Sequence, residues 1–395
     1  MHIEPLLKLG NLPIQDFLSQ YWQQKHLYSP QSLSDYLPDL DIDDLAGLAL
    51  EQEVESRLIR SEENRWELDH GPFTEEQLTH LPNSNWTLLI QAADIWIPEI
   101  SQFLDLFRFL PNWRLDDIMI SYAADGGGVG PHFDFYDVFL IQAKGCRTWH
   151  LGPECNDQTP RVQDSPLNQI APFEPEHTFE TKPGDVLYIP AGKAHWGIAN
   201  GDDCMTLSVG FRAPSDREIL SNFADFIADD LPSSNRYRDS SPKVADNPGK
   251  INDSVIETLR HKIQDLIDSP TALASWFGRE MTEGKYSEIQ PEEFFELPNI
   301  EEQELNEFLV QNPLEVFSAS RLAYRECEDA TTLFIDGEEY KTTALVAETL
   351  CKKRYFEPGE LQILIESEQP NDSKELLLSL VNRGILLVAQ NELNE

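Results

Sequence analysis

A chain of 395 residues is longer than one hydrophobic core usually serves, so two or three domains are expected rather than one. Its 30 Lys and Arg against 70 Asp and Glu give a formal charge of −40, yet 40% of residues are hydrophobic and 10% aromatic, which excludes an acidic disordered tail. A field of that sign repels phosphate backbones and anionic membranes, so no direct nucleic-acid or membrane ligand is expected and a basic protein is the better partner.

Five cysteines (Cys146, Cys155, Cys204, Cys327 and Cys351) form no C-x-x-C pair, which suggests neither a disulfide framework nor a thiolate zinc site. The first residues lack a signal-peptide pattern, and no stretch approaches the roughly 20 apolar residues of a membrane span. A soluble, cytoplasmic protein is expected.

Over 1–110 the patterning is mixed, with helices expected over 14–21 and 99–109 and a strand over 86–91. The window 31–55 holds eight acids and no Lys or Arg. A solvated face is the favoured reading there, ahead of a docking surface. From 113 to 213, short β-branched and aromatic runs alternate with turn residues. Strands are expected over 137–142, 147–151, 186–190 and 204–212, with a turn over 143–146, turn chemistry at Lys182 to Asp185, and a hairpin signal at Asn200 and Gly201. Such a set closes as a sandwich or barrel, the jelly roll among them.

After Ser215, a candidate N-cap, helical spacing runs over 216–231. The stretch 232–252 is rich in Pro, Ser, Asn and Asp and reads as an exposed linker. Helices follow over 254–267 and 271–281. From 298 onward come helices over 302–312, 343–353 and 373–383, a hairpin over 333–340 around Asp336 and Gly337, and a strand over 384–390. That succession reads as a winged helix, but residues 301–395 carry 20 acids and 8 bases, with Lys352, Lys353 and Arg354 as the basic cluster. A protein-contact or scaffold role is favoured over DNA binding.

The chemistry sits in the barrel segment. His132 and Asp134 are two apart, so on extended backbone an imidazole and a carboxylate face the same side. His195 follows 61 residues later, after an expected buried strand. Two imidazoles and one carboxylate make the facial triad of non-haem Fe(II) oxygenases, which leaves coordination sites open for a co-substrate and dioxygen. Zinc more often takes a closed tetrahedral set. The other histidines lack such a context, and His177 is the rival worth weighing. Gly126, Gly127, Gly128 and Gly130 lead into a strand rather than a helix, so close backbone packing explains them better than phosphate binding. Iron of this kind needs an electron source, and 2-oxoglutarate can chelate it. Its distal carboxylate needs a cation, for which Arg147 is preferred to Lys144. Ser121 can add a hydroxyl or be an ordinary strand serine.

The runs from Met119 to Tyr122, Gly126 to Gln142, Gly184 to Pro190, His195 to Gly197 and Ser208 to Arg212 resemble the bacterial ribosomal oxygenases. These are JmjC-type, cupin-fold hydroxylases dependent on 2-oxoglutarate. The resemblance implies a mixed α and β fold: a double-stranded β-helix (jelly-roll) catalytic domain over 1–215, a helical dimerisation region over 216–297 including the linker, and a winged-helix-like domain over 298–395. It implies Fe(II), 2-oxoglutarate and dioxygen as reactants and hydroxylation of an arginine of large-ribosomal-subunit protein 16, a basic protein, by a homodimer. Carried over, the iron ligands are His132, Asp134 and His195, and the 2-oxoglutarate partners Arg147 and Ser121. Tyr122, Phe133, Tyr136 and Trp196 are candidate apolar walls, and Tyr136, Asp137 and Ser208 candidate substrate contacts. The competing readings are a JmjC lysine demethylase and a non-catalytic cupin scaffold that binds a basic protein.

Overall fold

A computed structural model of the chain describes residues 3–62, 65–239, 244, 247–286, 289–293, 295–327, 331–366 and 370–389. Part of the expected linker and Gln390, at the end of the last expected strand, lie outside the described residues.

The catalytic half is built on one nine-stranded antiparallel sheet. Its order is Leu27–Ser29, Val186–Ile189, Val138–Glu154, Lys193–Phe211, Leu115–Ala123, Trp86–Ile90, Ser56–Glu62 and Arg65–His70, and His177–Thr181 pairs with Val138–Glu154. The sheet rolls into a jelly roll around a cavity. The backbone between 137 and 151 does not reverse as the turn signal suggested. Val138–Glu154 is one strand of 17 residues that pairs with Lys193–Phe211, itself of 19, along most of its length. The turn chemistry bends the pair instead: the register shifts between Asn200 and Met205, and Gly145 has φ +59. A Cβ on Gly145 would lie 2.5 Å from the Asp203 carbonyl oxygen, so only glycine lets the two strands bend together.

Pleating divides each strand between core and cavity. Phe139 and Ile141 enter the main core, while Val138 and Leu140 face the cavity. Under the sheet, Phe17 of the helix Ile14–Gln20 packs with ring centroids 5.0 Å from Tyr188 and 5.5 Å from Phe139. Each ring of this size buries a large apolar area, which helps hold the helix beneath the sheet. The acidic window contains a helix, Ile42–Leu50, in which Asp41 accepts from the Asp43 and Asp44 amides and Asp44 accepts from the Asp41 amide. Three of the eight acids therefore begin a helix rather than merely face solvent. The expected helix over 99–109 is Pro98–Leu104 followed by a single tighter turn, Asp105–Phe107.

Ser215 and Glu218 form a reciprocal cap on the helix Asp216–Asp229. The helices Asp253–Ile267 and Pro270–Thr282 follow, and the latter packs on the sheet of Leu322–Glu326, Thr331–Ile335 and Glu338–Thr342. The expected boundary at 297 thus falls beyond a helix that packs against the C-terminal sheet. That part adds Leu305–Gln311, Ala344–Lys352 and Pro370–Asn382 around a second core that includes Leu309, Leu350 and Leu380. Within the basic cluster, Arg354 is half-buried and donates to the Ser320, Val316 and Phe317 carbonyls, and Lys353 pairs with Glu360 at 2.6 Å. Arg321 joins the two halves by donating to the Leu115 and Asp116 carbonyls at 2.8 and 2.6 Å. Among the described residues, no helix is long and apolar enough to cross a membrane.

Candidate active site

His132 and His195 are held side by side by backbone. The His132 amide donates to the His195 carbonyl at 3.0 Å, and the His195 amide returns the bond at 2.8 Å. The Gly192 amide donates to the Asp134 carbonyl at 2.7 Å, extending the bridge to the third residue. This close approach explains the glycine run: a Cβ on Gly128 would lie 2.3 Å from the Gly197 carbonyl oxygen. The imidazole centroids are 4.2 Å apart, and Asp134 Oδ2 lies 4.0 Å from His132 Nε2 and 3.6 Å from His195 Nε2. Among the described residues, these three form the group of His, Cys, Asp and Glu able to hold one metal ion, with ligand atoms within 4.8 Å of one another.

The second ring nitrogens settle the tautomers. His132 Nδ1 donates to the Gly130 carbonyl at 2.9 Å and His195 Nδ1 to the Lys193 carbonyl at 3.0 Å, which leaves both Nε2 lone pairs facing the cavity. Burial, and then the neighbouring His132, push the His195 pKa down, so its ring is neutral and ready to ligate.

The cavity, of about 340 Å³, runs inward and outward from this triad. At the inner end Arg147 is 3% exposed, and its Nε and Nη2 have no hydrogen-bond partner. Its guanidinium lies 5.6 Å from the Trp149 ring, whose centroid is 6.0 Å from that of His195. Ser121 lines the same space, with Oγ 3.5 Å from the Thr206 carbonyl oxygen, and the buried Thr87 Oγ1 has no partner. A buried cation without an anion costs several kcal/mol. The inner end therefore fits a carboxylate ligand.

The outer end has the opposite sign. Glu55, Asp116 and Asp117 line it, together with Arg57, Tyr136, Ser208 and Lys285. Asp117 is 6% exposed, accepts from Gln91 Nε2 at 2.8 Å and pairs with Lys285 at 3.5 Å. Burial, then the charge of Asp116, raise its pKa against the opposing pull of Lys285 and Gln91.

His132, Asp134, His195, Arg147, Ser121, Tyr136 and Ser208 are thus gathered on one cavity. Asp137 is not, which corrects the expectation that it grips substrate. It continues the alternation of Phe139 and Ile141 and points away from the cavity, fully buried, where it accepts from Tyr188 Oη at 2.6 Å and from Gln23 Nε2 and Arg114 Nη2 at 3.1 Å each. Three of the four expected walls are also elsewhere: Tyr122 lies beside Trp86, Phe133 packs with Ile170 and Ala194, and Trp196 lies against His150 and Phe173. The apolar lining includes Leu89, Met119, Val138, Leu140 and Trp149. His177 lies beside His26, with ring centroids 4.7 Å apart, outside the site. Asp117 and Thr87 were missed, although the period of two counted back from Ser121 through Met119 reaches Asp117, and counted back from Leu89 reaches Thr87.

The sequence matches a JmjC-domain family model over residues 102–219 and a ROXA-like winged-helix model over residues 262–387. It is 38% identical to the ribosomal protein uL16 3-hydroxylase of Escherichia coli over 279 residues, 70% of this chain and 74% of that one. The chain belongs to the JmjC ribosomal oxygenases. An X-ray structure of the E. coli ribosomal oxygenase YcfD superposes with a TM-score of 0.84 at 32% identity, covering 98% of this chain and 100% of that one. A second YcfD structure, in complex with cobalt and 2-oxoglutarate, matches with a TM-score of 0.82 at 32% identity over 96% of this chain and 99% of that one. As a ribosomal oxygenase the chain is a 2-oxoglutarate-dependent enzyme. Its own residues fit that role, with two imidazoles that present Nε2 and a carboxylate for a divalent metal, and an enclosed guanidinium with unused donors for the co-substrate.

Proposed function

We propose that this oxygenase uses Fe(II), 2-oxoglutarate and dioxygen to hydroxylate an arginine side chain of ribosomal protein uL16. The observation that carries the reading is the polarity of the cavity, cationic inside the metal triad and anionic outside it. The uL16 substrate also stands in the name of the E. coli relative.

In this reading His132, Asp134 and His195 hold the iron. Arg147 donates Nε and Nη2 to the distal carboxylate of 2-oxoglutarate, with the Ser121 and Thr87 hydroxyls completing the contact. When bound, iron with 2-oxoglutarate and dioxygen supplies the oxidising chemistry: succinate and carbon dioxide are released, and one oxygen atom goes into a substrate C–H bond. The chain's own work is to orient that bond. Asp117 accepts the substrate guanidinium, Ser208 offers a hydroxyl beside it, and Tyr136 presents its ring. Val138, Leu140, Met119 and Trp149 keep water from the reacting carbon.

A basic ribosomal protein fits the net charge of −40. A homodimer is supported by the helix Asp253–Ile267, which buries no residue against its own chain and exposes Ile256, Leu259, Ile263 and Ile267. Ile263→Asp is expected to halve the mass measured by sedimentation, and an unchanged mass would rule out this face. A cytoplasmic site of action follows from the substrate.

Mass spectrometry of uL16 from cells with and without the gene tests the function. One arginine is expected to be heavier by a single oxygen atom only when the gene is present. An unmodified uL16 in both, or formaldehyde release from a methylated lysine peptide, would overturn the reading.

A further inference from the structure

The three outer carboxylates differ in how they are satisfied. Asp116 holds two arginines, Arg212 Nε at 3.2 Å and Arg321 Nη2 at 3.3 Å. Glu55 accepts from the Tyr286 hydroxyl at 2.5 Å and faces Arg57 Nε at 4.0 Å. Asp117 is the most enclosed of the three, and its ion pair is with Lys285, a side chain 42% exposed, at 3.5 Å. That separation is long for a charge-assisted hydrogen bond.

Lys285 does not come from the barrel. It lies just beyond the helix Pro270–Thr282, and Arg212, near the end of the 193–211 strand, fixes this junction. Its Nη1 donates to the Met281 carbonyl at 3.0 Å and its Nη2 to the Glu283 carbonyl at 2.8 Å. Tyr286, the next residue, donates its hydroxyl to Glu55, which lines the cavity, and Lys285 Nζ lies 5.3 Å from its ring. The chain is thus held on both sides of Lys285, at the Met281 and Glu283 carbonyls and through the Tyr286 hydroxyl, while the ammonium itself is loosely held and open to solvent. A cation so placed reaches Asp117 in the resting enzyme and can leave without disturbing the anchors.

We infer that Lys285 is an exchangeable placeholder: its ammonium occupies the guanidinium subsite at Asp117 in the resting enzyme and is displaced by the substrate arginine. The inference rests on the reading of Asp117 as the substrate's anionic contact. A tethered ammonium competes at a high local concentration but offers a single point contact. An arginine offers two parallel donors to one carboxylate and so displaces it. Lys285 would therefore raise the concentration of substrate needed to fill the site while compensating the enclosed carboxylate until substrate arrives.

The test is binding of fluorescently labelled uL16 to full-length enzyme loaded with cobalt and 2-oxoglutarate, followed by KM and kcat with iron. Lys285→Met should tighten binding at least threefold, with the change in KM rather than kcat. Lys285→Arg, which gives the tether the substrate's own fork, should weaken binding at least tenfold. In an Asp117→Asn background the two Lys285 variants should agree with each other within twofold. Looser binding by Lys285→Met, or no opposition between Met and Arg, overturns the placeholder while leaving the function reading intact. If the wild type binds uL16 no better than Asp117→Asn does, the substrate contact at Asp117 fails and the placeholder fails with it.

Discussion

At the inner end of the cavity Arg147 is enclosed with two nitrogens unbonded, whereas at the outer end Asp117, Asp116 and Glu55 each hold a partner delivered from elsewhere in the chain. Both ends carry buried charge, but they manage it differently. The inner cation is left incomplete, so an anionic ligand adds hydrogen bonds without displacing any. The outer anions are already compensated, so a cationic ligand must exchange with what is there. The first arrangement gives tight binding of a small co-substrate, and the second gives a site whose occupancy depends on competition and on the wider field. The triad lies between them, where an anion from one side and a side chain from the other can meet.

The largest effect tests the centre of this arrangement. His132→Ala removes an imidazole whose Nδ1 is already committed to Gly130, and among the described residues no other His, Cys, Asp or Glu joins Asp134 and His195 in the metal-holding group. Succinate formation should fall to background, as it should in the native enzyme after chelation, with Fe(II) restoring only the latter. Succinate formation that survived both treatments would sink the metal assignment.

Next in size is the inner end. Arg147→Met should raise KM for 2-oxoglutarate by about 2–4 kcal/mol of lost pairing, roughly 30- to 1000-fold. Because the guanidinium is already unpaired, the ligand-free variant should melt no lower than wild type and should lose the rise in Tm that 2-oxoglutarate gives the parent. A large drop in ligand-free Tm would mean that Arg147 serves the fold and that the contrast between the two ends is false.

The outer end should respond on the protein substrate instead. Asp117→Asn removes the anion facing the substrate guanidinium, worth about 1.5–3 kcal/mol or roughly 10- to 150-fold in kcat/KM. Its pH behaviour sharpens the point. Burial and Asp116 raise the Asp117 pKa, so this carboxylate gains its proton at a higher pH than an ordinary one as the solution is acidified. kcat/KM for uL16 should decline on the acid side accordingly, and that limb should be missing in the Asn variant. A decline of the same shape in both enzymes would assign it to another group.

The legible part of this molecule was what local pattern encodes. The two-residue spacing of His132 and Asp134, the cap at Ser215 and the helical periods after it all report geometry within a few residues. What escaped was set by long-range pairing. Turn residues at Lys144 and Gly145 look alike whether a strand reverses or bends, and only its pairing with the 193–211 strand decides between them. Asp137 and Ser208 read alike as polar residues near the motif, yet pleat parity sends one to the core and the other to the cavity. Parity was available for Asp117 as well, two positions before Met119, but its partner Lys285 lies 168 residues further on in a helical region that no barrel motif announces. Sequence pattern thus found the metal site and, at the outer end, Tyr136 and Ser208, but missed the carboxylates there, whose partners come from distant segments.

The smallest effect separates the two ends by range rather than by contact. A net charge of −40 attracts a basic protein from a distance, and this attraction is screened as the Debye length shrinks from about 8 Å at physiological salt to about 3 Å at 1 M. Association of uL16 at the outer end, under that field, should slow with added salt by up to about tenfold in kcat/KM. Arg147, 3% exposed and surrounded by protein, meets its carboxylate where mobile ions do not reach. KM for 2-oxoglutarate should therefore move far less over the same range. If both constants shifted together, long-range steering would not distinguish the ends of the cavity, and the acidity of the chain would serve solubility alone.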